Sequence, residues 1–146
     1  MIILKPYNDS DFNAVNQYFP AKEIAKYINK GKYRLFSLLG IYRSTFMLLE
    51  ENGQIMGCGV MRSKWSRDLH KFGWWLYAIW IEPSQRGKGI SKILMNKLLE
   101  ELKKKNIKTV HLTVSKDNEI AQNLYKKIGF KLVGENSTDY IMRYDL

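Results

Sequence analysis

The run Phe72 to Ile81 (FGWWLYAIWI) is apolar on both of its alternating faces. Trp74, Leu76, Ala78 and Trp80 form one face, and Trp75, Tyr77, Ile79 and Ile81 the other. A strand of this kind cannot leave either side in water. It belongs in the middle of a sheet with helices on both sides. The chain must therefore fold as layers around this segment. From Ile90 the spacing changes: Ile90, Ile93, Leu94, Leu98 and Leu102 fall on one helical stripe. That pattern predicts a helix from Ile90 to Lys105, with Lys103, Lys104 and Lys105 at its negative end and Asn106 to stop it.

Between strand and helix lies Glu82-Pro83-Ser84-Gln85-Arg86-Gly87-Lys88-Gly89. A strand, a Gly-containing turn and a helix start in immediate succession make an anion site. The first helical amides have no intrahelical partner, and the helix dipole adds partial positive charge. Gly87 and Gly89 let a ligand approach the backbone closely, while Arg86 and Lys88 add charge. A phosphate or pyrophosphate is the natural guest. The spacing excludes a Walker A loop, and the third glycine of a dinucleotide fingerprint is replaced by Lys92.

The rest of the chain supplies the layers. Ile2 to Lys5 reads as a short strand ended by Pro6. Asn8 to Asp11 is a cluster of capping residues before a first helix carrying Phe12, Val15, Tyr18 and Phe19. Pro20 opens a second helix with Ile24, Ala25, Tyr27 and Ile28, and Gly31 stops it. Tyr33 to Tyr42 has no assignable period. Thr45 to Glu50 and Gln54 to Arg62 flank Asn52-Gly53, a strong hairpin signal. Gly57 and Gly59 in the second strand point to a bulge or to close packing. Lys64 to Lys71 reads as a polar connection. Val110, Leu112 and Val114 alternate as a strand, and Ile120, Ala121, Leu124 and Ile128 mark a last helix ended by Gly129. Phe130 to Val133 and Tyr140 to Tyr144 close the sheet around the polar turn Gly134 to Asp139. The order of elements is that of an α/β protein with a mixed sheet.

At 146 residues, 45% hydrophobic and 26% charged, the composition is that of one globular domain spanning residues 1–146. No apolar run has the length of a membrane span, and no leader of signal-peptide form opens the chain. The single cysteine, Cys58, has no intrachain partner and reads as a core residue. A cytoplasmic location follows as the expectation. The net charge is +10, but the lysines are scattered rather than gathered on one face. Polyanionic cofactor binding and a solvated surface account for it better than nucleic acid.

Two segments together resemble the GNAT superfamily of N-acetyltransferases. Arg86-Gly87-Lys88-Gly89-Ile90-Ser91 is similar to its acetyl-CoA pyrophosphate loop, with Ser91 where the family has Gly or Ala. Asn118, Ala121, Leu124, Tyr125, Gly129 and Phe130 match a second family run in register, one helix and one strand later. The resemblance implies a mixed, mostly antiparallel twisted sheet of about six to seven strands flanked by about four helices. It also implies acetyl transfer from acetyl-CoA, as co-substrate, to a primary amine by direct transfer. Carried over, Ile79, Trp80 and Ile81 would offer backbone groups to the pantetheine arm. Arg86, Gly87, Lys88, Gly89, Ile90 and Ser91 would hold the pyrophosphate, and Asn118 would bond the cofactor arm. Tyr125 would be the general acid for the leaving thiolate.

No general base is assigned. Family members place a glutamate where this chain has Trp75 or Thr113; Glu50, Glu82, Asp68, His70 and His111 are substitutes. No metal is called for. Expected partners are a small-molecule amine or a peptide, with a homodimer left open and neither nucleic acid nor membrane expected. The competing reading is a non-catalytic GNAT-like domain that binds acyl-CoA or nucleic acid.

Overall fold

Asn52 and Gly53 form the tight turn between two long strands, β2 (Tyr42–Glu51) and β3 (Gln54–Ser66), around which the sheet is laid. The computed structural model describes residues 1–146. Ahead of the hairpin come β1 (Ile2–Pro6), a 3-10 turn at Asp9–Asp11 and three short helices, α1 (Phe12–Asn16), α2 (Ala21–Tyr27) and α3 (Lys32–Leu38). After it come β4 (Lys71–Ile81), a 3-10 turn at Pro83–Gln85, α4 (Ile90–Lys104), β5 (Thr109–Ser115), α5 (Glu119–Ile128), β6 (Lys131–Glu135) and β7 (Asp139–Asp145). All seven strands share one sheet in the order β1-β2-β3-β4-β5-β7-β6. Every neighbouring pair is antiparallel except β4 and β5.

As the two-faced apolar pattern requires, β4 is central and both sides of the sheet are covered. On one side α4 and α5 pack an 18-residue cluster that includes Leu94, Leu98, Leu102, Met61, Leu76 and Leu112. On the other, α1 and α2 pack a smaller cluster of Val15, Ile24, Tyr27, Phe46, Leu48, Cys58 and Val60. Cys58 is 1% exposed, and burial pushes its thiol up to about 12, so it is a core residue. Gly59 is where β3 meets α4: a Cβ there would stand 2.7 Å from Leu98 Cδ1, so only glycine lets the helix sit this close.

Five sequence expectations need correction. The segment 33–42, which the sequence leaves unassigned, holds most of α3, a turn at 39–41 and the first residue of β2; with Leu35, Leu38 and Leu39 exposed, it has no buried stripe to give a period. The first helix is only α1, because the capping box of Asn8 and Asp11 closes a 3-10 turn before it. α2 ends at Tyr27, and Gly31, at φ 62°, opens α3 rather than stopping α2. Residues 64–71 are not a connection: β3 runs to Ser66 and β4 starts at Lys71, leaving 67–70 as the turn. Finally, Ile120 lies off the stripe of Ala121, Leu124, Tyr125 and Ile128 and stands 86% exposed.

Candidate active site

The site begins with a defect in β4. Cys58 faces Trp80 and Val60 faces Tyr77, so one residue of β3 opposes two of β4, Ala78 and Ile79. This is a β-bulge, and Ala78 sits at φ 51°, a left-handed conformation that costs a residue with a Cβ about 1 kcal/mol. Its carbonyl oxygen accepts from Cys58 Sγ at 3.5 Å. The bulge corrects the simple alternation expected for β4. Trp74, Leu76, Ile79 and Ile81 face the α4 side, whereas Tyr77, Ala78 and Trp80 pack on the α1/α2 side. It also coincides with a parting of the sheet. β4 and β5 pair only at Trp74–Val110 and Trp75–His111, and beyond Trp75 no bridge joins them.

The parted strands enclose a cleft of about 240 Å³ lined by Leu76, Tyr77, Ala78, Ile79, Leu112, Thr113 and Tyr125. Beyond the C-terminal end of β4, the chain turns into α4. Glu82 caps the 3-10 turn by accepting from Ser84 N at 2.9 Å and from the Ser84 hydroxyl. Arg86 Nε donates to the carbonyl of Ile81 at 2.9 Å, so this side chain braces the loop. Gly87 and Gly89 follow at φ 78° and 76°, with open space where a Cβ would project. Gly89 is the N-cap of α4 and offers no capping side chain. As a result the amides of Gly87, Lys88, Gly89, Ile90, Ser91 and Lys92 have no acceptor in the chain. The first turn of α4 carries no acidic residue. This row of free donors at a helix N-terminus, beside Lys88, suits a polyphosphate.

Tyr125 stands on α5 at the wall of the cleft, 9% exposed, its ring 5.9 Å from that of Phe130. Burial raises its phenol above the usual tyrosine range, which keeps it protonated and able to give a proton. Asn118 is the N-cap of α5. Its side-chain oxygen accepts from Ala121 N at 3.1 Å, leaving its amide hydrogens free for a ligand. Trp80, by contrast, is held on the far side against Tyr18 and Phe19, with ring centroids at 4.4 and 5.7 Å.

The base candidates are dispersed. Glu50 pairs with Lys5 at 2.7 Å and Glu82 caps its turn. Asp68 and His70 sit in the β3–β4 turn. His111 is 2% exposed, its ring tilted against that of Trp75 at 5.0 Å between centroids; burial, then Lys71 and Arg143, lowers its pKa. Only Thr113 lines the cleft, and no carboxylate does. A larger hollow of about 490 Å³ lies beside α1 and the β2–β3 turn. Its Asp11 and Glu82 are already engaged and would repel a phosphate. Sequence reading missed the cleft wall of Tyr77 and Ala78, and the cationic group of Arg62 and Lys64 next to Tyr77. Only the bulge makes Tyr77 and Ala78 successive residues of one face, and no residue type announces it.

An uncharacterised N-acetyltransferase of Methanocaldococcus jannaschii is 32% identical over 59% of this chain and 38% of its own length. The [ribosomal protein bS18]-alanine N-acetyltransferase of Haemophilus influenzae is 36% identical over 58% of this chain and 53% of its own. The matched segment thus spans about half or less of each of these relatives. In fold, the chain is similar to the PaiA N-acetyltransferase of Thermoplasma acidophilum, solved in complex with coenzyme A. The TM-score is 0.67 at 18% identity, covering 100% of this chain and 99% of that one. Residues 12–130 match the acetyltransferase (GNAT) family, which takes in both the amide cradle and the α5 segment. The chain belongs to the GNAT family of acetyltransferases.

Proposed function

We propose that this protein transfers an acetyl group from acetyl-CoA directly to a primary amine. The observation that carries the reading is the continuity of the site. A row of unpartnered amides at the start of α4 leads along the side of β4 that β5 leaves open to a cleft walled by a buried, protonated phenol.

Acetyl-CoA supplies an activated thioester when bound. The residues around it have separate tasks. The amides of Gly87 to Lys92, with Lys88, hold the pyrophosphate, and Arg86 keeps the loop in shape through Ile81. Backbone groups of Ile79 and Trp80 on the unpaired part of β4, with the Asn118 side chain, align the arm; Ile81 has one fewer to offer, since Arg86 takes its carbonyl. The apolar walls, Leu76, Ile79 and Leu112, exclude water from the reacting carbon. The Tyr125 hydroxyl gives its proton to the departing thiolate. Because the cleft holds no carboxylate, the amine enters neutral and loses its proton to solvent after attack. The chain acts as one domain of residues 1–146, and its acceptor is a small amine or a peptide.

The test is a panel of amine acceptors with acetyl-CoA, followed by release of free thiol. Acceptor-dependent release with acetylated amine as product is expected. Tight acetyl-CoA binding with no transfer to any amine would instead favour a non-catalytic acyl-CoA-binding domain.

A further inference from the structure

On the sheet face away from α4, the cross-strand neighbours Ser44, Arg62, Trp75 and His111 form one row over four strands. Arg62 is 4% exposed. Its guanidinium carbon lies 4.5 Å from the ring centroid of Tyr42 and 4.3 Å from that of Tyr77. Nε donates to Ser44 Oγ at 2.9 Å. Ser44 is itself held by the Asn29 side chain, which accepts from its amide at 2.9 Å and donates to its carbonyl at 2.7 Å. The guanidinium is therefore fixed through its Nε, while its Nη2 has no acceptor. The Tyr42 hydroxyl and His111 Nδ1, on the same face, are unpartnered too.

A second cation completes the group. Lys64 Nζ lies 5.1 Å from the Trp75 ring centroid and 5.0 Å from that of Tyr77. Burial, then Arg62, lowers its pKa. The ion pairs of this protein involve neither residue, and Asp68 acts on Lys64 only from a distance. Aromatic faces compensate such cations in part. A buried and a half-buried cation with no counter-anion, and a guanidinium nitrogen without an acceptor, still make an incomplete arrangement. Tyr77 is shared: its ring packs on Arg62 and it also lines the cleft beside Tyr125.

We propose that Arg62, Lys64 and the Tyr42 hydroxyl bind an anionic oxyacid group, carboxylate or phosphate, carried by the acceptor amine. The claim about the amine rests on the acetyl-transfer reading above; the anion site stands on its own geometry. A guanidinium held through Nε keeps Nη2 without a protein partner, and an oxyacid oxygen there would make the charge-assisted bond that favours carboxylate and phosphate over neutral groups. The same positive charge disfavours an ammonium nearby, which helps an acceptor arrive as the free amine where the cleft offers no base.

Matched acceptors test this: β-alanine against β-alaninamide, and O-phosphoethanolamine against ethanolamine, each with acetyl-CoA. The anionic member of at least one pair should show kcat/KM roughly 30-fold above its neutral partner, as charge-assisted bonds allow. The pair with the larger ratio identifies carboxylate or phosphate as the group recognised. Lys64→Met, which keeps the apolar packing, should cut that ratio about tenfold, and Tyr42→Phe should cut it less, both with KM for acetyl-CoA unchanged. Calorimetric titration of the same four compounds in the presence of coenzyme A reads the site without turnover. An anionic amine that binds Lys64-dependently but is not acetylated upholds the anion site and overturns the transfer reading. Acetylation with equal use of neutral and anionic partners, or a preference intact in both variants, overturns the anion site and leaves the transfer reading in place. Failure of both anionic amines to bind or react better than their neutral partners overturns it as well.

Discussion

The two faces of the sheet are built differently. Under α4 and α5 lies an apolar cluster of 18 buried residues. Under α1 and α2 the apolar cluster has 7 members. The buried polar side chains, Ser44, Arg62, Ser66 and His111, all stand on this second face by strand alternation. Beside the first face, the proposed pyrophosphate site is made of backbone amides at one helix end. On the second, the proposed anion site is made of side chains from β2 and β3 beside Tyr77 of β4. A backbone cradle serves one constant group, whereas a side-chain box can be altered residue by residue. The difference suits a protein that keeps one co-substrate while its acceptor is free to change.

The contrast can be broken by experiment. Leu98→Ala on α4, a 0% exposed site, should cost about 3 kcal/mol of stability, or roughly 10 °C in Tm by thermal denaturation. A cost under 1 kcal/mol would mean the α4 face is not the dominant core. Gly89→Asp should weaken acetyl-CoA binding roughly 10²-fold or more in calorimetry, by placing a carboxylate among the free amides. Its Tm should fall by only a few degrees, the cost of a Cβ at φ 76° in a position that no neighbour crowds. Unchanged affinity in a folded protein would remove the pyrophosphate from this loop.

Tyr125→Phe should lower kcat about 10²-fold with acetyl-CoA affinity intact. The pH dependence has a definite sign. The phenol acts in its protonated form, and burial holds its pKa above 10, so rates should fall on its account only above that pH. A basic limb ending well below pH 10 that disappears in Tyr125→Phe would contradict the buried phenol. Tyr42→Phe deletes a hydroxyl that has no partner, so stability should change by less than about 0.5 kcal/mol. A larger loss would show the polar face to be structural. Smallest of all, Lys64→Met should leave duplex DNA binding, weak and salt-sensitive on account of the +10 net charge, unchanged in a filter or fluorescence assay.

The same division explains what could be read in advance. The strand–loop–helix from Phe72 to Lys104 and the α5 segment from Asn118 to Phe130 are local in sequence. Their glycines, caps and stripes carry the information in order. The hairpin at Asn52-Gly53 is legible for the same reason. Arg62, Tyr42 and Tyr77 come together only through strand register, and register depends on pairing partners that no local pattern names. Gly57 and Gly59 did signal irregularity, and β3 carries an extra residue at Met56 beside Gly57; the bulge that shapes the cleft falls on the partner strand, at Ala78, a residue with no special claim to a positive φ. The α3 helix escaped notice because Leu35, Leu38 and Leu39 face outward, so no buried stripe marked it.

The extra residue at Ala78 gives β4 a change of phase halfway along. Before it, odd-numbered positions such as Trp75 and Tyr77 belong to the polar face; after it, odd-numbered Ile79 and Ile81 belong to the α4 core. One strand thus reports to two separate environments, divided at a single residue. Trp75 can therefore be varied without touching the cleft, whereas a change at Tyr77 acts on Arg62 and on the cleft together. Removing Ala78 would be a different kind of change: it would delete the bulge and leave Tyr77, Ile79, Trp80 and Ile81 in plain alternation on their present faces, whereas flattening the bulge with Ala78 retained would turn Ile79 and Ile81 out of the core and swing Trp80 into it.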